Sequence, residues 1–145
     1  MMENYKKIVC IEAMTLLEEE DRLREIVRLV GIDALSRQER MILETAKSLR
    51  EDFLHQNAFH EIDTYASMDK QYRMLRNIIG FHHLCMDAIE HGSTIQDLFS
   101  LPVREGIAKM RYVDEKELDK IDELLPEMKK QVEELSPEGG MGDVA

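Results

Sequence analysis

The spacing of apolar residues, and how seldom it is interrupted, most constrains this chain. Leu16, Leu23, Ile26, Val27 and Val30 recur at helical intervals. So do Ile42, Ala46, Leu49 and Phe53, and then Leu75, Ile78, Ile79, His82, Met86 and Ile89. Residues three, four and seven apart share one face of an α-helix, so each set is a stripe that needs another helix to bury it. Seven glycines and three prolines in 145 residues leave few places to stop such helices. Valine, threonine and aromatics are sparse, while Leu, Met, Glu, Lys and Arg abound, which favours helix over sheet. The expected class is all-α, a helical bundle of about five or six helices with short connections and antiparallel sequential neighbours.

The interruptions set the boundaries. A first helix runs from about Glu3 to Val30 and stops at Gly31. Its acidic run Glu18-Glu19-Glu20-Asp21 is expected to be a solvated face. After the connector 31–35, Ser36 opens a capping box with Glu39, which starts the second helix. The stripe breaks from His55 to Thr64, where Asn57 and Asp63 favour turns. A third helix starts near Ser67 and reaches His91; Gly80 inside it is expected where another helix comes close. Thr94 caps a short helix to Phe99, and Pro102 opens another to about Met110. Asp114 caps a last stretch, with Glu117 completing its box, and Pro126 breaks or kinks that stretch near Leu125. Residues 1–135 thus read as one domain and 136–145 as a disordered tail.

The formal charge is −11. The basic residues are interleaved with acids, so neither nucleic-acid phosphates nor an anionic membrane surface is an expected partner. Cys10 and Cys85 lie far apart in apolar helical contexts and read as two buried thiols in a reducing compartment. No signal peptide and no spanning stretch is legible, which points to a cytoplasmic location and is compatible with peripheral attachment to a membrane complex through a partner.

Few constellations carry chemistry. There is no phosphate-binding glycine loop, so the chain by itself is not expected to bind and split a nucleotide. His82, His83 and Cys85 lack metal-ligand spacing, because adjacent helical residues point about 100° apart; no metal is expected, and His82 reads as a core or interface histidine. His55, His60, Glu61 and Asp63 read as loop polars. Glu51, Asp52, Glu61 and Asp63 could supply a carboxylate pair, a weak signal in so acidic a chain. No catalytic residue is assigned. Phe59, alone among polar residues where the helix breaks, reads from pattern as an anchor into the core or a stacking platform.

Four separated pieces carry a resemblance. They are Arg50-Glu-Asp-Phe-Leu-His-Gln-Asn-Ala-Phe-His-Glu-Ile-Asp-Thr-Tyr65, Glu25-Ile-Val-Arg-Leu-Val-Gly-Ile-Asp-Ala-Leu-Ser36, Lys70-Gln-Tyr-Arg-Met-Leu75 and Leu101-Pro-Val-Arg-Glu-Gly-Ile-Ala-Lys-Met110. In order and spacing they resemble the C-terminal helical domain of the catalytic A subunit (alpha chain) of V-type and archaeal A-type ATP synthases. His55 stands where the family pattern has glutamine, and Ile62 where it has valine. The resemblance implies that Gln56, Asn57, Ala58 and Phe59 form one edge of an adenine pocket, the aromatic being a wall without chemical duty. It implies ATP or ADP with magnesium as the cofactor of a complete subunit, not of this chain alone. It also implies three partners: the nucleotide-binding domain of the same subunit, B subunits, and the subunits of a central rotor stalk. The tip Asp33, Ala34, Leu35 and Ser36 resembles the start of the acidic stalk-contacting loop of the F-type beta subunit, but Arg37 and Gln38 replace its acids. Shape and packing would then carry the push. The alternative reading is a standalone helical protein-interaction module.

Overall fold

The computed structural model describes residues 2–54 and 66–135, and all structural statements below concern these. Six α-helical stretches and no strand occur among them. Helix α1 is Met2–Val30, α2 Arg37–Ser48, α3 Met68–Glu90, α4 Ile95–Phe99 and α5 Val103–Lys109; α6 comes in two pieces, Asp119–Asp122 and Leu124–Glu134. A π-helical turn, Leu49–Leu54, extends α2. Short 3-10 turns occupy Ile32–Ala34, Met110–Tyr112 and Glu115–Glu117. The break after the second helix and the tail at 136–145 lie outside the described residues.

Local chemistry explains most helix ends. Gly31 adopts φ 97°, a backbone conformation that disfavours side chains, and turns the chain out of α1. Ser36 accepts from the Glu39 amide at 3.1 Å, and the Glu39 carboxylate accepts from the Ser36 amide at 2.9 Å, completing the expected box. Ser67 and Thr94 cap α3 and α4. Asp114 behaves otherwise than expected. Its carboxylate accepts from the Lys116 amide at 2.9 Å and starts a 3-10 turn, while Glu117 pairs with Lys120. Pro126 does not break its helix. The interruption falls at Glu123, and Pro126 sits in the first turn of the second piece of α6, where its missing N–H costs nothing.

The core forms where α1, α2, α3 and α6 meet. Leu23, Met41, Leu49, Ile121 and Met128 are almost wholly enclosed. On α1 the buried positions are Val9, Ala13, Leu16, Glu20 and Leu23, so the inward face lies nearer the start of the helix than the apolar count predicts. Val30 is exposed. Glycines permit the tightest contacts with α6. A Cβ on Gly80 would lie 3.4 Å from Leu125 Cδ1, and one on Gly106 only 2.7 Å from Leu124 Cδ2. Polar ties complete the docking of α6: Arg76 reaches Asp122 at 2.5 Å, Arg73 also pairs with Asp122, and Asn77 donates to the Ile121 carbonyl at 2.7 Å.

Three expectations are corrected by this packing. Glu20 is no part of a solvated face: it is 4% exposed and bound to Arg50. Cys10 is exposed, and only Cys85 is buried. Val30 and its neighbour Leu29 face outward instead of into a core.

Candidate functional site

Two regions carry the site residues read from the sequence: the stretch leading into residues 55–65 and the tip between α1 and α2. Gln56, Asn57, Ala58 and Phe59 themselves lie outside the described residues, as do His55, His60, Glu61 and Asp63. What the structure gives for them is their frame.

That frame begins at the π-helical turn. A π turn inserts an extra residue into the helical phase and is commonly found at functional positions. Here Leu49 is buried and Phe53 half-buried, while the polar side chains between them diverge. Arg50 reaches across to α1 and grips Glu20 with Nε at 3.1 and 3.0 Å and Nη2 at 2.6 Å from the carboxylate oxygens. Such a fork-to-carboxylate pair fixes direction as well as distance. Asp52 turns the other way and accepts from the Ser48 hydroxyl at 2.6 Å. Burial pushes its carboxyl above the usual range, offset in part by that hydrogen bond. Glu51 is exposed, and its main-chain carbonyl accepts from Arg111 at 2.8 Å. Glu51 and Asp52 therefore do not converge as an acid–base pair.

Beside the turn, α2, α3 and α5 enclose a cleft of about 270 Å³ bordered by Glu44, Ser48, Asp52, Phe81, Arg104 and Ile107. Its chemistry does not suit a phosphate. Arg104 is committed to Glu44 at 2.6 Å, and four carboxylates outnumber Arg104 and Lys47 along the rim. Any phosphate-binding duty would have to come from elsewhere.

The histidines divide as α3 geometry requires. His82 is buried and shares a 2.6 Å hydrogen bond between Nδ1 and Thr45 Oγ1. Burial, reinforced by His83, holds it down at about 4, so it is neutral near pH 7. His83 points outward and meets Glu12 at 2.5 Å. Burial pushes the Cys85 thiol up to about 12, which leaves it a protonated core group.

At the tip, the four residues separate. Asp33 and Ala34 are exposed; Leu35 points inward at 5% exposure; the Ser36 hydroxyl is used in the cap of α2. Asp33 pairs with Arg40 at 3.3 Å, and Arg37 donates to the main-chain carbonyl of Ser93 at 3.2 Å. The Ser36 amide holds the Glu39 carboxyl below its ordinary value. The Asp33 side chain still projects, 97% exposed, and beside it project the apolar Leu29 and Val30, each 68% exposed, and Ile32. The heptad-like spacing of α1 hid them, because Val30 shares a stripe with Leu23 and reads as core. The one available signal is position, since a residue at the end of a helix has less neighbouring helix to cover it. A second exposed apolar row, Ile8, Ile11 and Met14, lies on the first half of α1.

The described residues thus form an all-helical unit with a capped tip and exposed apolar rows on α1. The family model described as the C-terminal domain of V and A type ATP synthase matches residues 3–99, and this chain belongs to that family. It is 52% identical over 132 residues to the V-type ATP synthase alpha chain 1 of Clostridium tetani, and 55% identical over 132 residues to the V-type ATP synthase alpha chain of Thermoanaerobacter pseudethanolicus. Each match covers 91% of this chain and 22% of the relative, so the chain spans about a fifth of the length of these relatives. No helix among the described residues is long and apolar enough to cross a membrane.

Proposed function

We propose that this domain carries the state of a nucleotide site to a rotating stalk in a V/A-type ATP synthase whose alpha chain makes or hydrolyses ATP. The observation that carries the reading is the tip. Asp33 reaches Arg40 while its side chain stays exposed, a complete capping box opens α2 behind the connector, and Leu29, Val30 and Ile32 face out beside it. A contact made by apolar shape fits a tip that lacks the acids of the F-type loop. Asp33 and Ala34 stand beside that surface, with Leu35 and Ser36 anchoring it. At the other site, Gln56 to Phe59 would form one wall for adenine, which needs a flat apolar face and no charge. The magnesium–nucleotide phosphates would be held by the nucleotide-binding domain of the same subunit. B subunits and stalk subunits would complete the assembly, and the row Ile8, Ile11 and Met14 offers a face for the adjoining domain. Nucleotide binding would then bias two arrangements of the domain against the stalk.

Two substitutions in a complete, assembled enzyme test this. Ile32→Asp at the tip should leave nucleotide affinity intact and lower the ion transport obtained per ATP. Phe59→Ala should weaken nucleotide affinity by about 1–3 kcal/mol, the loss expected when a stacking aromatic is removed. Unchanged coupling in the first would refute the stalk contact, and unfolding in the second would make Phe59 a core anchor.

A further inference from the structure

The first half of α1 is apolar on two sides. At about 100° per residue, Val9, Ala13, Leu16 and Glu20 share the arc that packs into the bundle, and all four are buried. Lys7, Ile11, Met14 and Glu18 fall within about 60° of one another on nearly the opposite arc. Their spacing along the chain, four, three and four residues, reads the same in both directions. Ile11 is 63% exposed and Met14 62%, and Lys7 and Glu18 are exposed at the two ends of the stripe. Ile8, also exposed, borders it. A helix that is apolar on opposite sides is one that packs on both.

The charges that end this stripe are uncommitted. Other carboxylates of α1 find cations: Glu20 has Arg50, Glu25 has Arg28, and Glu12 meets His83. Arg22, one turn beyond Glu18, is taken by Glu19 and Glu39. Among the described residues, the side chains of Lys7 and Glu18 have no ion-pair or hydrogen-bond partner. The order lysine, apolar, apolar, glutamate is therefore self-complementary. Against a second copy running the opposite way, Lys7 meets Glu18 of the second copy and Ile11 meets its Met14. A two-fold axis repeats each contact, as an isologous interface requires. Run parallel, the stripes would set lysine on lysine and glutamate on glutamate, and that repulsion selects the antiparallel order.

We propose that this face of α1 is an interface between two copies of this chain, paired antiparallel about a two-fold axis between Ile11 and Met14. The inward arcs then carry the two bundles to opposite sides of the helix pair. Leu29, Val30 and Ile32 lie beyond the overlap, so pairing leaves the tip uncovered. In a complete alpha chain an adjoining domain would compete for the same face, and the pairing belongs to the chain without one. One helix stripe is a small contact, in the class below about 1,200 Å² where association is weak, so the dimer is expected only at high micromolar concentration.

Sedimentation equilibrium of the full chain at low ionic strength, where charge pairs are least screened, tests this. The chain should dimerise with rising concentration. Ile11→Asp should stay monomeric over the same range and, in dilute solution, unfold at the same temperature, because residue 11 faces away from the core. Lys7→Glu and Glu18→Lys should each weaken self-association on the order of tenfold, since each turns two attracting pairs per dimer into repelling ones. Mixed one to one, these two variants should associate with each other about as well as the unsubstituted chain does with itself. Direction is read by disulfide formation in a Cys10→Ser background. A Lys7→Cys chain should cross-link to a Glu18→Cys chain and not to itself, because the two copies of position 7 lie about 16 Å apart along the helix pair. A monomer at every concentration up to the millimolar range overturns the proposal and leaves the face to an adjoining domain. A dimer indifferent to Ile11→Asp and to both charge reversals overturns it as well, and assigns the contact to another surface. Cross-linking of position 7 to itself refutes the antiparallel order.

Discussion

The Glu20–Arg50 pair gives the sharpest test of how this bundle is held, because its two members are buried unequally. The Glu20 side chain is 6% exposed and the Arg50 side chain 41%. Removing the carboxylate by Glu20→Gln frees a guanidinium that can turn to water. The loss is then that of charge-assisted hydrogen bonds, about 2 kcal/mol. Removing the cation by Arg50→Met leaves a carboxylate in the α1–α2 interface with Arg24, 3.9 Å away and mostly exposed, as its remaining cation. Stranding a buried charge costs about 3–5 kcal/mol, and the distant Arg24 places this case near the lower end. The order Arg50→Met worse than Glu20→Gln follows from burial alone. The double variant Glu20→Met with Arg50→Met should be more stable than Arg50→Met, since no charge is stranded. Urea unfolding at pH 7 measures all four proteins. If each single variant cost less than about 0.5 kcal/mol, the pair would behave as a surface salt bridge and the reasoning would fail.

Other outcomes follow from the packing. His82 sits at about 4 when folded against an ordinary 6.5, so the unfolded chain binds the extra proton. Its contribution is complete above pH 6.5 and is lost as pH falls toward 4, at up to about 1.4 kcal/mol per pH unit. The stability-versus-pH slope of His82→Gln should therefore be shallower in that window; an equal slope would exclude His82 as the source. Gly106→Ala gains helix propensity of about 1 kcal/mol but meets Leu124. It should be more favourable in a Leu124→Ala background than alone, and additivity in a double-mutant cycle would contradict the close contact. A thiol reagent should label exposed Cys10 in the native protein and reach Cys85 only on unfolding. Equal labelling rates read by mass spectrometry would refute that burial pattern.

The candidate site was legible in the sequence to different depths. Ser36 and Thr94 could be read as caps because the groups they satisfy lie within three residues. The position of the tip followed from Gly31 and Ser36. Which tip residues face out did not, because Leu35 and Val30 exchange roles through packing that involves other helices. Gln56 to Phe59 stood out as a break in a stripe, and a break carries no information about what surrounds it. Arg111 carried no signal, since Glu51, whose carbonyl it meets, lies far along the chain.

By itself, the sequence determined the all-α class, the approximate extents of α1, α2 and α3, the capping box of α2, and the family to which the motifs point. These depend on interactions between residues a few positions apart, which the order of side chains encodes directly. Tertiary structure alone decided which charges are buried. Glu20 sits in an acidic run and Lys70 opens a polar helix turn, yet both are enclosed, one by Arg50 and the other by main-chain carbonyls more than forty residues away. Whether a charge is solvated or held depends on where distant helices bring its partner, and local spacing contains no record of that.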